Sequence, residues 1–295
     1  MRLLELFSGI GAAGIAAGPL GPVAGAYDQN PHANAAYTYN TGRVPSPKNL
    51  ATVPASQLEP FAACAWWMSP PCQPYTRRGL GRDADDPRSA ALANLVAIAG
   101  ALRPPVVVLE NVPGFAASTM RGRLLAALRD YQVAEAEMCP SALGVPMRRR
   151  RYYLVASRLG VPLFEPPQAS PRPLAEFLDP EIAAATDYLE EARVRGAGHS
   201  AHVVAATDPA AVASCFTSAY ARSPVHAGSY LHDGRGTRLF SPEEVIRLLG
   251  FPPGWSFPPA LPRAQRYTLA GNSLSVDVAR VVIAAALRAG LASAS

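Results

Sequence analysis

Four short segments carry residues whose types and spacing suit chemistry. Ser69-Pro70-Pro71-Cys72-Gln73-Pro74 sets a thiol in a proline-stiffened loop. Prolines cannot join a hydrogen-bonded ladder, so such a loop leaves its strand with the cysteine at a fixed place. A cysteine taken alone is more often a small packed hydrophobe. Here Gln73 and the basic Arg77 and Arg78 argue against burial, and favour a partly exposed thiolate in a positive field, facing a substrate. Glu110-Asn111-Val112 ends an apolar run with a carboxylate. In a water-poor site its pKa rises, so that it can donate or share a proton near neutral pH. After Met147 come four arginines, of which Arg149 and Arg151 share one face of a strand and could grip a phosphate or a base carbonyl. A solvated basic run would read the same way. Finally, Leu6-Phe7-Ser8-Gly9-Ile10-Gly11 puts glycines where a strand turns into a helix, and main-chain N–H groups there can approach a ligand. A plain tight turn has the same pattern. Asp28, at the end of the second strand, is placed to accept from ribose hydroxyls.

Positioning these groups requires elements that end at one edge. The first half alternates strand-like and helix-like segments, which implies an α/β fold with a mostly parallel sheet and helices on both faces. Strands are expected over Arg2–Phe7, Val23–Asp28, Ala63–Met68, Val106–Glu110 and Tyr152–Ala156, and helices over Ala90–Leu102 and Leu124–Tyr131. Ligands of such sheets bind at the carboxyl ends of the strands. After Ser157 the character changes. Prolines, a helix expected over Glu181–Arg193 and a loop-like stretch over Ser223–Thr237 suggest an inserted lobe. Ser241-Pro242-Glu243-Glu244 has the signature of a capped helix start, and Ser275–Leu287 presents a long apolar helical face. The expected division is a catalytic domain over 1–157 plus 266–295, and a small target-recognition lobe with its return segment over 158–265.

A chain of 295 residues, 49% apolar and 17% charged, is globular in composition. The net charge of +5 is compatible with a polyanionic partner without requiring one. Lys48 is the only lysine, which points to base composition of the coding sequence as the origin of the arginine excess. No run of eighteen apolar residues and no leader pattern is present, so no membrane association and a cytoplasmic location are expected. Four scattered cysteines without a CxxC pair argue against a disulfide framework. His199 and His202 have no cysteine pair nearby, so no metal is expected.

In their order along the chain these segments resemble the cytosine-C5 methyltransferase family. Phe7-Ser8-Gly9-Ile10-Gly11 is similar to its cofactor loop, Pro70-Pro71-Cys72-Gln73 to its nucleophile loop and Glu110-Asn111-Val112 to its acid motif. Arg149 and Arg151 match its two spaced arginines, with Met147 in place of the usual Gln or Asn. Arg238-Leu239 and Gly271-Asn272-Ser273 resemble the later motifs. The stretch Lys48–Gln57 is hard to match to a further cofactor motif. The resemblance implies S-adenosyl-L-methionine as cofactor, S-adenosyl-L-homocysteine as product, and a SAM-dependent methyltransferase fold of Rossmann-like type. It adds Pro71, Asn272 and Ser273 to the cofactor site. It makes Cys72 the nucleophile, Glu110 the group that contacts the base, and Arg151 with Arg149 the residues that hold it. Met68-Ser69, Cys139-Pro140-Ser141, Cys215-Phe216-Thr217 and Leu249-Gly250-Phe251-Pro252-Pro253 are most similar to the branch that looks like DNA methyltransferases but modifies an anticodon-loop cytosine of tRNA. That branch places Cys215 and Thr217 on the substrate side. The expected partner is a nucleic acid, tRNA ahead of DNA, bound by a monomer. A binding protein without turnover ranks below both, and a small-molecule methyltransferase lower still.

Overall fold

Alternating apolar side chains make a sheet that is buried on both faces, as a parallel sheet covered by helices requires. In the computed structural model, which describes residues 2–18, 21–76, 82–179, 188–189, 202–220, 222 and 227–291, six strands form this sheet. They are β1 (Leu3–Leu6), β2 (Val23–Tyr27), β3 (Ala65–Met68), β4 (Val106–Asn111), β5 (Gln132–Met138) and β6 (Arg151–Ser157). Their order is β2-β1-β3-β4-β6-β5. Strands β2, β1, β3 and β4 pair in parallel, and β6 runs antiparallel to both β4 and β5. Ala65, Trp67, Val106, Val108, Tyr153 and Val155 enter one core, while Trp66, Met68, Val107, Leu109, Leu154 and Ala156 enter the other. Because β6 is reversed, its first residue, Arg151, lies at the edge where β3 and β4 end.

The described helices are α1 (Ala12–Ala17), α2 (Pro31–Thr41), α3 (Ala55–Leu58), α4 (Ala90–Leu102), α5 (Thr119–Ala127), α6 (Pro242–Leu248), α7 (Arg263–Asn272) and α8 (Val276–Leu291). α1 packs against α8 on one face of the sheet, and α4 packs with α5 on the other. Arg263–Leu287 is apolar and long enough to cross a membrane by composition, but 67% of its most apolar window is buried inside the fold. That stretch is a core element.

Three elements differ from expectation. Helix α2 was not anticipated, although its signals are local: the Asn30 side chain accepts from the N–H groups of His32 and Ala33, and Pro31 occupies the first turn. Helix α5 lies over Thr119–Ala127 rather than Leu124–Tyr131, because Ser118 caps it by accepting from Arg121 N. β5 is an edge strand with exposed Gln132, Glu135 and Glu137, so it lacks the apolar run that marks the buried strands.

Beyond Ser157, β7 (Val203–Ala205), β8 (Tyr230–His232) and β9 (Thr237–Leu239) form a small sheet in the order β7-β8-β9. The stretch read as a loop over 223–237 thus contains β8 and the start of β9; residues 223–226 lie outside the described residues. The helix expected over 181–193 also lies outside them, apart from Tyr188 and Leu189, and Tyr188 makes a β-bridge to Arg238. The capped start of α6 is present. Ser241 Oγ accepts from Glu244 N at 3.1 Å, and Glu244 accepts from Ser241 N at 2.8 Å. Glu244 also pairs with the buried Arg238 through two bonds of 2.8 Å. Phe216, Tyr220, Phe240 and Tyr267 stack edge to face at centroid separations of 4.9 to 5.6 Å and join the core on the α1 and α8 side of the sheet.

Candidate active site

The carboxyl edge of the sheet opens into a cleft of about 570 Å³. Phe7, Ser8, Gly9, Ile10, Asp28, Pro71, Cys72, Gln73, Glu110, Arg149, Arg151, Asn272 and Ser273 all line it. Residues separated by as much as 266 positions in sequence therefore share one cavity, and the reason is topological. β1, β3 and β4 are adjacent and end together, while β6 starts beside them.

At one end, the chain leaving β1 turns through three residues in the left-handed region: Phe7 (φ 63°), Gly9 (φ 53°) and Gly11 (φ 91°). That conformation is costly for Phe7, by about 1–3 kcal/mol, and free for the glycines. Asp28 holds this turn. Its Oδ2 accepts from Gly9 N and its Oδ1 from Asn30 N, both at 2.8 Å. Burial raises its pKa, partly offset by these two bonds. Asp28 lines the cleft as expected, but it serves the loop before any ribose. Space above Gly9 is open, and the buried Ser8 hydroxyl oxygen has no partner. An unsatisfied buried hydroxyl beside free space is a place for a polar ligand. Gly11 does not line the cleft; it lies against the Tyr37 ring, which a Cβ would meet at 3.1 Å.

Asn49, Leu50, Ala51, Pro87 and Arg88 also line the cleft and were not singled out from sequence. The main signal for the first three is Asn94, a polar residue in the apolar α4, which donates to the carbonyls of Leu50 and Val53 at 2.9 Å each. Arg88 is held by two bonds to Asp86, of 2.8 and 2.6 Å.

At the other end lies the thiol. Asn111 donates from Nδ2 to the Pro70 carbonyl at 3.1 Å and accepts from Val112 N at 2.9 Å. This ties the loop of Cys72 to the strand of Glu110. Cys72 is half-buried. Burial pushes its thiol up, and Glu110 adds to this, while Arg151 and Arg149 pull it down; the net shift is upward. The expected resting thiolate is therefore corrected: the resting group is a thiol in which desolvation outweighs the arginines. Arg77 and Arg78, expected to supply the positive field and touch substrate, lie outside the described residues. Glu110 is buried, which raises its pKa; Arg151, Arg149 and a hydrogen bond from Ser69 hold it back. Arg151 Nε lies 3.5 Å from Glu110 Oε1.

Arg149 differs from its expected role. Its Nη1 donates to the Phe216 carbonyl at 2.8 Å and to Cys215 Sγ at 3.4 Å. Its Nη2 donates to the carbonyls of Gly271, at 3.0 Å, and Ser273. A guanidinium so engaged fastens three segments together, and only its Nε, buried and without a partner, is left for a ligand. Cys215 and Thr217, unlike Arg149, do not line the cleft. Arg149 and Arg151 both approach Cys215 Sγ. Burial raises that thiol, but the two arginines outweigh it and leave it below its ordinary value. Thr217 packs its backbone against Gly271, where any Cβ would collide.

A thiol, a buried acid and a paired arginine at one end of a cleft, with a glycine-rich turn at the other, define a cytosine-C5 methyltransferase. The chain belongs to the family described as C-5 cytosine-specific DNA methylase, whose model matches residues 1–196 and 188–288. It is 30% identical to the tRNA (cytosine(38)-C(5))-methyltransferase of Schizosaccharomyces pombe, over 96% of each chain. It is 27% identical to a DNA (cytosine-5)-methyltransferase of Dictyostelium discoideum, over 94% of this chain and 92% of that one. The solved structure of S. pombe Dnmt2 methyltransferase superimposes with a TM-score of 0.83 at 28% identity, covering 98% of both chains.

Proposed function

We propose that this protein methylates C5 of a cytosine in the anticodon loop of a tRNA, using S-adenosyl-L-methionine. The observation that carries the chemistry is the meeting of Cys72, Glu110 and Arg151 in one cleft with the Ser8–Gly9 turn. The curated relatives named for cytosine 38 of tRNA support the substrate. An unstacked loop base is also cheap to extrude into such a cleft.

The residues present fit the cofactor. The orphan Ser8 hydroxyl, the open space above Gly9, Asp28 and the Asn49–Ala51 wall would hold it. When bound it supplies an electrophilic methyl group. The chain does the rest. Cys72 gives its proton to solvent and its sulfur bonds to C6 of the cytosine, and the C5–C6 double-bond pair displaced by that attack makes C5 nucleophilic. Glu110 shares a proton with N3 and accepts from the exocyclic amine, so charge on the ring is neutralised. Arg151, beside Glu110, holds the base O2 and favours the thiolate during attack. After C5 carries the methyl group, the C5 proton passes to solvent, and the pair it leaves restores the C5–C6 double bond as the C6–S bond breaks and Cys72 departs.

The second reading is DNA as substrate, favoured by the family description and the D. discoideum relative. Transfer of labelled methyl to host tRNA and host DNA, both lacking the modification, separates the two. Label at an anticodon-loop cytosine is the expected result; label in DNA alone overturns the substrate assignment. Cys72→Ala is expected to abolish transfer while leaving cofactor binding intact, and turnover by that variant would refute the nucleophile.

A further inference from the structure

Glu110 has two oxygens and two tasks, and the groups on either flank of its carboxyl bear on both. Met68 pairs in register with Leu109, so Ser69, just past the end of its strand, lies beside Glu110 on the adjacent one. Strand alternation puts Trp67, Ser69, Val108 and Glu110 on one face. On the other flank Glu110 pairs in register with Tyr153, and Arg151 lies near Oε1. Trp67 Nε1 donates to Ser69 Oγ at 2.6 Å. Its ring is 1% exposed and packs edge-on against Tyr153 at 6.5 Å, so the indole cannot turn away.

An indole N–H can only donate, whereas a hydroxyl carries one proton to give. Ser69 must therefore accept from Trp67, which leaves its own proton for Glu110, the residue that the Met68–Leu109 register sets beside it on the neighbouring strand. We propose that Trp67 and Ser69 form a fixed donor relay that positions Glu110, keeping one carboxyl oxygen as an acceptor and reserving the other for the proton shared with the base. Both act as positioning residues. The inference rests on the reading of Glu110 as the group that shares a proton during methyl transfer. Its physical consequence has a definite sign. A donor to the carboxylate stabilises the ionised form, so its loss moves the proton affinity of Glu110 upward.

The test compares wild type with Ser69→Ala, Ser69→Thr and Trp67→Phe. Two readouts are taken: titration of the Glu110 carboxyl by ¹³C NMR, assigned by its absence in Glu110→Gln, and the pH profile of single-turnover methyl transfer. Ser69→Ala is expected to move the Glu110 titration and its limb of the profile about one pH unit higher, with about a tenfold loss of rate. Ser69→Thr keeps the hydroxyl and restores both. Trp67→Phe keeps the ring, frees the serine and shifts both in the same direction by less. A Ser69→Ala titration that coincides with wild type overturns the relay, as does a Trp67→Phe shift of opposite sign. A shifted titration in a protein that methylates no nucleic acid would instead sustain the relay and refute the functional reading. If Ser69→Ala does not fold, Trp67→Phe decides the matter by the same criteria.

Discussion

Glu5 lies in the middle of β1, fully buried, and supports the glycine-rich turn from behind. Its Oε1 accepts from Gly14 N at 2.7 Å and its Oε2 from the Tyr37 hydroxyl at 2.6 Å. Burial is the larger influence, and it raises the pKa from an ordinary 4.5 to about 7 in spite of both bonds. Between those values the folded protein keeps a proton that the unfolded chain has released. Stability therefore falls as pH rises through this window, and the contribution is lost above pH 7. The gap, at about 1.4 kcal/mol per pH unit, amounts to about 3 kcal/mol. Glu5→Gln removes the titration yet keeps the contacts, since its carbonyl can accept from Gly14 and its amide can donate to the Tyr37 oxygen. Urea unfolding of both proteins at intervals from about pH 5 to pH 8 is the assay. The variant should gain on wild type as pH rises, by about 2.5 kcal/mol across the range, the rest of the gap lying below pH 5. Two curves that stay parallel would refute the reasoning, because no group would then be changing its proton at this site.

Arg149→Lys should destabilise the protein by about 3 kcal/mol or more, because a single ammonium cannot satisfy carbonyls of two separate segments at once. Thermal unfolding checks this, and a variant within about 0.5 kcal/mol of wild type would remove Arg149 from the role described. Cys72 should react with iodoacetamide only at a pH above that of a free cysteine, since burial pushes its thiol up. Arg151→Gln should displace that profile further in the alkaline direction, as the main opposing charge is gone.

That Cys72 and Glu110 would meet at one edge of the sheet was legible because each sits at a break in an apolar run. Cys72 follows Ala65–Met68 through two prolines, and Glu110 lies near the end of Val106–Asn111. Apolar strands and proline loops are written locally, and the parallel order follows from the crossover helices. The electrostatic state of Cys72 was not legible. It depends on how much of the thiol the fold covers and on the distance to Arg151, neither of which spacing encodes. The role of Arg149 escaped for a related reason. Its partners are main-chain carbonyls of Phe216, Gly271 and Ser273, and a carbonyl has no signature in sequence. Edge strand β5 was missed because its polar residues face water, and the small sheet β7-β8-β9 because its strands are only three residues long.

The fastening made by Arg149 constrains how proteins of this plan can be recombined. A buried cation needs its full set of acceptors, so residues 215–217 cannot be replaced without regard to the turn at 271–273, although more than fifty positions separate them. A segment carrying residues 215–217 grafted from a relative should succeed when that turn travels with it, and should strand the guanidinium when it does not. The two segments are exchanged as a matched pair, and the arginine enforces the match.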